Sequence, residues 1–189
     1  MQEHGLRDFR AAKEKAGVRL GLEDRGALPT NQEIERAIAE RHRVFHGDAH
    51  DQVVEVLRRA ALELMRALGG FDPRLVGPVL SGNADEHSAI DLHLFSDEPE
   101  AVGAALAALG IATRAVEHRL RTRRDAWELF PGYRFRYGGL EFCALVFRER
   151  GRGNAPLSPV DGRPMRRATD RDVEALLGGG AAQRLPTST

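Results

Sequence analysis

Cysteine is almost absent from this sequence: Cys143 is the single thiol among 189 residues. One cysteine excludes an intramolecular disulfide, which fits a protein of a reducing compartment. The sequence also lacks a run of about 18 consecutive apolar residues, the length that a membrane-spanning helix needs. Its first residues, Met-Gln-Glu-His-Gly, lack the apolar core of a signal peptide. These absences predict a cytoplasmic protein that does not enter a membrane.

An excess of either charge is missing as well. Lys plus Arg and Asp plus Glu both number 28, so the formal net charge is zero. Such a chain creates no long-range field that attracts nucleic acid or an anionic membrane, and neither is an expected partner. A small group of arginines is interpreted as a solvated loop rather than a nucleic-acid contact. They are Arg119, Arg121, Arg123 and Arg124.

The sequence does contain enough apolar residues for a hydrophobic core, 42 % of the total. It also contains clear periodic segments. Thr30 and Glu33 form a capping box before the first helix, and the second helix carries a wide apolar face. Gly138-Gly139 between two apolar segments is typical of a hairpin. The predicted helices cover about 34–45, 50–68 and 98–109, with a short one after Thr169, and the predicted strands cover 74–80, 90–95, about 111–120, 133–137 and 140–147.

These signals divide the chain into four regions. They are an N-terminal helical region (1–69), a core (70–150), a Pro- and Arg-rich loop with a C-terminal helix (151–180) and a disordered tail (181–189). Prolines and a Pro-Val-Asp-Gly turn fix the path of the loop. Arg163, Arg166 and Arg167 are therefore candidates to reach from it to the open face of the predicted sheet.

The segment 75–95 carries the most informative spacing in the chain. It reads LVGPVLSGNADEHSAIDLHLF, in which ten residues separate Gly77-Pro78 from Ala89-Ile90-Asp91. This strand, turn and strand resembles the signature of the minimal nucleotidyltransferases, which is Gly-Ser, ten residues and Asp-x-Asp. The resemblance covers about 70–150. It implies an α+β fold, a mixed β-sheet flanked by helices, here with an N-terminal helical extension.

Two positions depart from the family pattern. Pro78 stands in place of the serine, and it offers neither a hydroxyl nor a backbone N–H to a phosphate. Ala89 stands in place of the first aspartate and removes one of the two carboxylates that bridge the metal ions. The site implied by the resemblance is therefore incomplete.

The resemblance implies transfer of a nucleoside monophosphate from a nucleoside triphosphate with Mg²⁺. Two carboxylates at i and i+2 of a strand point to one face, and Mg²⁺ prefers such oxygen ligands. Asp91 remains, and Glu141 at the start of a later strand resembles the third carboxylate, so both are implied as catalytic residues and as weak metal ligands. The residues implied in nucleotide binding are Gly77, Ser81, Gly82, Ser88 and His93.

Two classes of function stay open on this basis. The first is a nucleotidyltransferase-superfamily protein with weak or lost activity, for which enzymatic activity itself is an open question. The second is a non-catalytic binding or regulatory module on the same fold, similar to an antitoxin. Its partner would be another protein or a second copy, bound through the N-terminal helices.

Overall fold

A five-stranded mixed sheet forms the centre of the protein in a computed structural model, which describes residues 29–45 and 47–182. The strand order is β1-β2-β5-β4-β3. Strands β2 and β5 are parallel, and every other neighbouring pair is antiparallel. The strands are β1 (Arg74–Val76), β2 (Ile90–Phe95), β3 (Thr113–Arg123), β4 (Ala126–Tyr137) and β5 (Leu140–Phe147).

Helices flank this sheet, so the predicted α+β class with a mixed sheet is confirmed. Thr30 and Glu33 form the expected capping box, with the Glu33 N–H donating to Thr30 Oγ1 and the Thr30 N–H donating to Glu33 Oε2. Thr169 and Asp172 repeat the arrangement before the last helix. The helices are α1 (Asn31–Phe45), α2 (Gly47–Ala67), α3 (Gly77–Ser81), α4 (Pro99–Ala108) and α5 (Asp170–Ala182).

The first strand is shorter than the sequence predicts. It ends at Val76, and residues predicted to continue it to 80 form the short helix α3 instead. Gly77 adopts a φ of +71° and turns the chain out of the strand. Pro78 then lies in the first helical turn, where its missing N–H costs no hydrogen bond. Gly82, with a φ of +85°, ends the helix.

The main core lies between one face of the sheet and the helices. Alternate residues of β2, Ile90, Leu92 and Leu94, are fully buried there beside leucines of α2 and α4. Val173 of α5 belongs to the same cluster. The predicted region boundaries at 69 and 150 stay predictions. Helix α2 lies before the first boundary and α5 lies after the second, and both pack on the core between them.

The opposite face of the sheet, which carries Asp91, His93 and Phe95, is called here the site face. A smaller apolar cluster lies on it, formed by Phe95, Cys143, Leu145 and Phe147. Among the described helices none is both long and apolar enough to cross a membrane. Predictions that concern residues 1–28, 46 and 183–189, including most of the tail, lie outside the described residues.

Candidate functional site

The end of the site face near the start of β2 carries a transverse row of polar side chains. Asp91 pairs in register with Cys143 of β5, and Cys143 pairs with Arg134 of β4. Arg134 pairs in turn with Arg114 of β3. Residues directly opposite one another on neighbouring strands share a face. The row therefore places a carboxyl, a thiol and two guanidinium groups side by side.

Asp91 also contacts the turn that follows β1. A Cβ atom added to Gly77 would lie 2.7 Å from Asp91 Oδ2, which is closer than such atoms approach one another. The positive φ of Gly77 is a second reason why a side chain is disfavoured there. Gly77 is thus required both by its backbone and by the carboxyl group that lies against it.

The environment of Asp91 disfavours its charged form. Burial raises the pKa of Asp91 to about 7, although the positive charge of Arg134 acts in the opposite direction. Cys143 is buried beside it, and burial together with the Asp91 charge raises the pKa of the thiol to about 12. Cys143 is therefore a protonated, unreactive packing residue rather than a nucleophile.

His93, the next residue of β2 on this face, is only 2 % exposed. Its Nδ1 accepts a hydrogen bond of 3.0 Å from Arg167 Nε, and since a guanidinium can only donate, the ring proton is on Nε2. Burial and the nearby Arg167 charge hold the pKa of His93 well below its usual range. The imidazole is thus neutral and enclosed, and its predicted contact with a nucleotide stays a prediction.

Arg167 belongs to a segment that crosses the site face, residues 151–168, called here the strap. Its guanidinium lies over the rings of Phe95 and Phe147, at 5.1 and 4.7 Å from their centroids. It also donates to the carbonyls of Gly151 and Arg152. The expectation that an arginine of this loop reaches the open face is confirmed for Arg167.

The strap is held at both edges of the sheet. Near its start the Leu157 N–H donates to the Arg121 carbonyl on β3, and at its end Ala168 exchanges two hydrogen bonds of 2.9 Å with Leu75 on β1. It covers the half of the site face that carries the phenylalanines. The half that carries Asp91, Arg134 and Arg114 lies beyond it.

The predicted nucleotide-binding residues at the end of α3 and in the loop after it are engaged in local contacts. Ser81 Oγ donates to the Pro78 carbonyl, and the Gly82 N–H donates to the same oxygen. The Gly82 carbonyl lies 2.8 Å from Nε2 of His50, so α2 fixes this turn from behind. Ser88 Oγ bonds the Asp85 carboxylate at 2.8 Å. These bonds fix the loop, and a role in binding nucleotide stays a prediction.

Glu141 lies on β5, one position before the pair that Phe142 forms with Ile90. Ala89 lies one position before Ile90. Position 89, where the family has an aspartate, and Glu141 are therefore neighbours on adjacent strands. The Glu141 carboxylate is partly exposed and pairs with Arg136, whose Nε is 3.4 Å from Oε1. Asp91 and Glu141 thus lie on adjacent strands, and each has an arginine as its charged neighbour.

A pocket of about 600 Å³ opens beside this row, at the end of the sheet away from the strap. Arg114, Arg134 and Arg136 line it together with Glu141, and we call it the arginine pocket. Three guanidinium groups against one carboxylate give it a positive charge. Arg134 Nε is buried without a hydrogen-bond partner. The rest of the lining comes from residues 109–113, Phe135, Tyr137 and Gly138.

Sequence reasoning missed these arginines, although one signal was present. In the segment Tyr133-Arg-Phe-Arg-Tyr137 the arginines alternate with aromatic residues, which places Arg134 and Arg136 on one face of a strand. Arg114 could not be joined to them without the β3–β4 register.

The donor set does not fit a two-metal centre. No group of three or more His, Cys, Asp or Glu residues within 29–45 and 47–182 is placed to hold a metal ion. Asp91 is the carboxylate of its row, and the side chains beside it are a thiol and a guanidinium, which do not ligate Mg²⁺. The residues present instead suit an anion.

Comparison with known proteins adds a distant likeness. No family model matches the chain, and no curated protein does. Among solved structures, one of Cid1 in complex with the UTP analogue UMPNPP aligns at 19 % sequence identity with a TM-score of 0.36. The alignment covers 63 % of this chain but 37 % of that one, so this chain corresponds to little more than a third of its length.

Proposed function

We propose that this chain is a nucleotidyltransferase-superfamily protein that binds a nucleoside triphosphate and has weak or no transferase activity. The observation that supports it best is the close approach of Asp91 Oδ2 to Gly77. The family signature needs a glycine turn and an aspartate to meet on one face of the sheet. Gly77 and Asp91 stand at the two ends of the sequence motif: Gly77 directly follows β1, and Asp91 lies on β2.

The loss of activity is proposed from the chemistry of the same place. Nucleotidyl transfer requires metal ions that hold the phosphates and the developing charge. Ala89 supplies no ligand, Pro78 supplies no donor, and Glu141 is paired with Arg136. Mg²⁺ keeps most of its waters unless several oxygens are fixed around it, so its affinity here is expected to be low.

A calorimetric titration with ATP and Mg²⁺, beside an assay of pyrophosphate release, tests the proposal. The native chain is expected to bind ATP and to release little or no pyrophosphate. Ala89→Asp returns an oxygen ligand two residues before Asp91 and is expected to strengthen Mg²⁺-dependent binding before turnover appears. Ala89→Asn is the matched control, because asparagine has nearly the shape of aspartate without its charge. It is expected to leave the Mg²⁺ dependence of ATP binding unchanged.

Two results would contradict the proposal in different ways. Rapid pyrophosphate release by the native chain would show that the site is active despite its missing ligands. Absence of ATP binding by the native chain, together with no gain in the Ala89→Asp, Pro78→Ser double variant, would favour the alternative of a binding module that uses no nucleotide.

A further inference from the structure

We infer that the arginine pocket binds an oligophosphate directly through Arg114, Arg134 and Arg136, without a metal ion. The ligand is the phosphate chain of a nucleotide or a free oligophosphate. For the nucleotide the inference rests on the proposed function, and it deepens that function by naming the groups that hold the phosphates.

The charges of the pocket carry the first step of the argument. Arg114 is exposed and has no ion-pair partner within the part of the chain that the structure describes. Arg136 pairs with Glu141 at 3.4 Å and donates from Nη2 to the Gly139 carbonyl at 2.7 Å, but its side chain stays exposed, so it can turn to a ligand. Arg136 is opposed by Glu141 and Arg134 by Asp91, so the excess positive charge of the pocket rests on Arg114. Guanidinium groups bind phosphate oxygens in pairs of parallel hydrogen bonds.

The second step concerns Arg134, which is half-buried. Arg134 Nε lies out of contact with water and has no hydrogen-bond partner. An unpaired buried donor is costly, and a bound water or an anion in the pocket would satisfy it. Arg134 belongs to the same row as Asp91 and also lines the pocket, so an anion bound in the pocket would lie beside the proposed nucleotide site.

The size and position of the pocket agree with this ligand. The pocket is an open depression of about 600 Å³, which leaves room for an extended phosphate chain. Because the strap crosses the other half of the site face, the pocket is accessible.

Titrations of the full chain with ATP and with tripolyphosphate, both in EDTA, test the inference. Both anions are expected to bind, and added Mg²⁺ is expected to weaken binding because it neutralises the phosphate charge. Arg114→Gln is expected to lower the affinity about tenfold, the size of one lost charged hydrogen bond. Arg123→Gln, on the same strand but outside the pocket, is the matched control and is expected to change nothing.

Glu141→Gln distinguishes the pocket from a metal site by the sign of its effect. Removal of the carboxylate is expected to raise the metal-free affinity for tripolyphosphate severalfold, whereas loss of a metal ligand would lower Mg²⁺-dependent binding. Circular dichroism of each variant checks that it is folded. The affinity of the arginine variants should also depend less steeply on salt than that of the native chain.

The outcomes separate this inference from the proposed function. Binding only in the presence of Mg²⁺, or metal-free binding that is equal in the native chain and in Arg114→Gln, Arg136→Gln, overturns the pocket. ATP binding that persists in that double variant leaves the proposed function standing. Equal affinity for tripolyphosphate and ATP, lost in the double variant, supports the pocket but argues against recognition of a nucleoside.

Discussion

Gly77→Ala is expected to destabilise the fold by about 2 to 3 kcal/mol, and two separable effects contribute. A residue other than glycine in the left-handed region costs roughly 1 to 2 kcal/mol. The new Cβ would also lie 2.7 Å from Asp91 Oδ2, and a carboxylate turned about 30° from its preferred rotamer costs roughly 0.5 to 1.5 kcal/mol. Gly110 provides a matched control. Its φ is +73°, against +71° for Gly77, and a Cβ there meets no atom within 4 Å.

Urea unfolding of the two alanine variants measures the difference directly. Gly110→Ala reports the backbone cost, and Gly77→Ala adds the contact with Asp91. In an Asp91→Ala background the cost of Gly77→Ala should fall to that of Gly110→Ala, which is a coupling of about 1 kcal/mol. If Gly77→Ala costs the same in both backgrounds, the carboxyl group does not lie against the turn, and the observation that supports the proposed function is lost.

Three further outcomes are expected. First, Asp91→Asn should stabilise the protein above pH 7 by up to about 4 kcal/mol. The pKa of Asp91 is raised to about 7 in the folded state, so its contribution to stability is present below the unfolded pKa and is lost as pH rises through 7. The variant has no such carboxyl group, and its urea unfolding curves in a pH series should lack this decline. Second, the pKa of His93 is lowered, so its contribution to stability is present above the unfolded pKa and is lost as pH falls. His93→Gln keeps an acceptor for Arg167 and should therefore resist acid better than the native chain. Equal midpoints of acid unfolding would refute this. Third, Arg167→Met should cost about 2 to 4 kcal/mol through lost charged hydrogen bonds and ring contacts and should make the strap sensitive to limited proteolysis, while Arg166→Met, which is exposed beside it, should do neither.

The local pattern of the sequence predicted the central strands well. The alternation of residues along 90–95 predicted that Ile90, Leu92 and Leu94 face the core. In the structure these three residues lie in the main core, while Phe95 belongs to the cluster on the site face. Gly138-Gly139 forms the turn between β4 and β5, as the hairpin signal predicted. Such features depend on neighbouring residues, which a sequence shows directly.

The arginine pocket and the strap depend on pairings between distant residues. Arg114 and Arg134 are neighbours only through the β3–β4 register, which no local pattern in the sequence specifies. The end of β1 was predicted wrongly because the apolar residues Val79 and Leu80 favour a strand, while the positive φ of Gly77 redirects them into a buried helix. A glycine permits that turn, but its presence does not require it.

We expect the strap to attach late in folding. Its contacts join residues far apart in sequence, Leu75 with Ala168 and His93 with Arg167, and such contacts form late because long loops must close first. During synthesis the ribosome releases β1 to β5 before residues 151–168 emerge. Until then Arg167 cannot lie over the rings of Phe95 and Phe147, and we expect this surface of the nascent chain to be open to aggregation or to a chaperone.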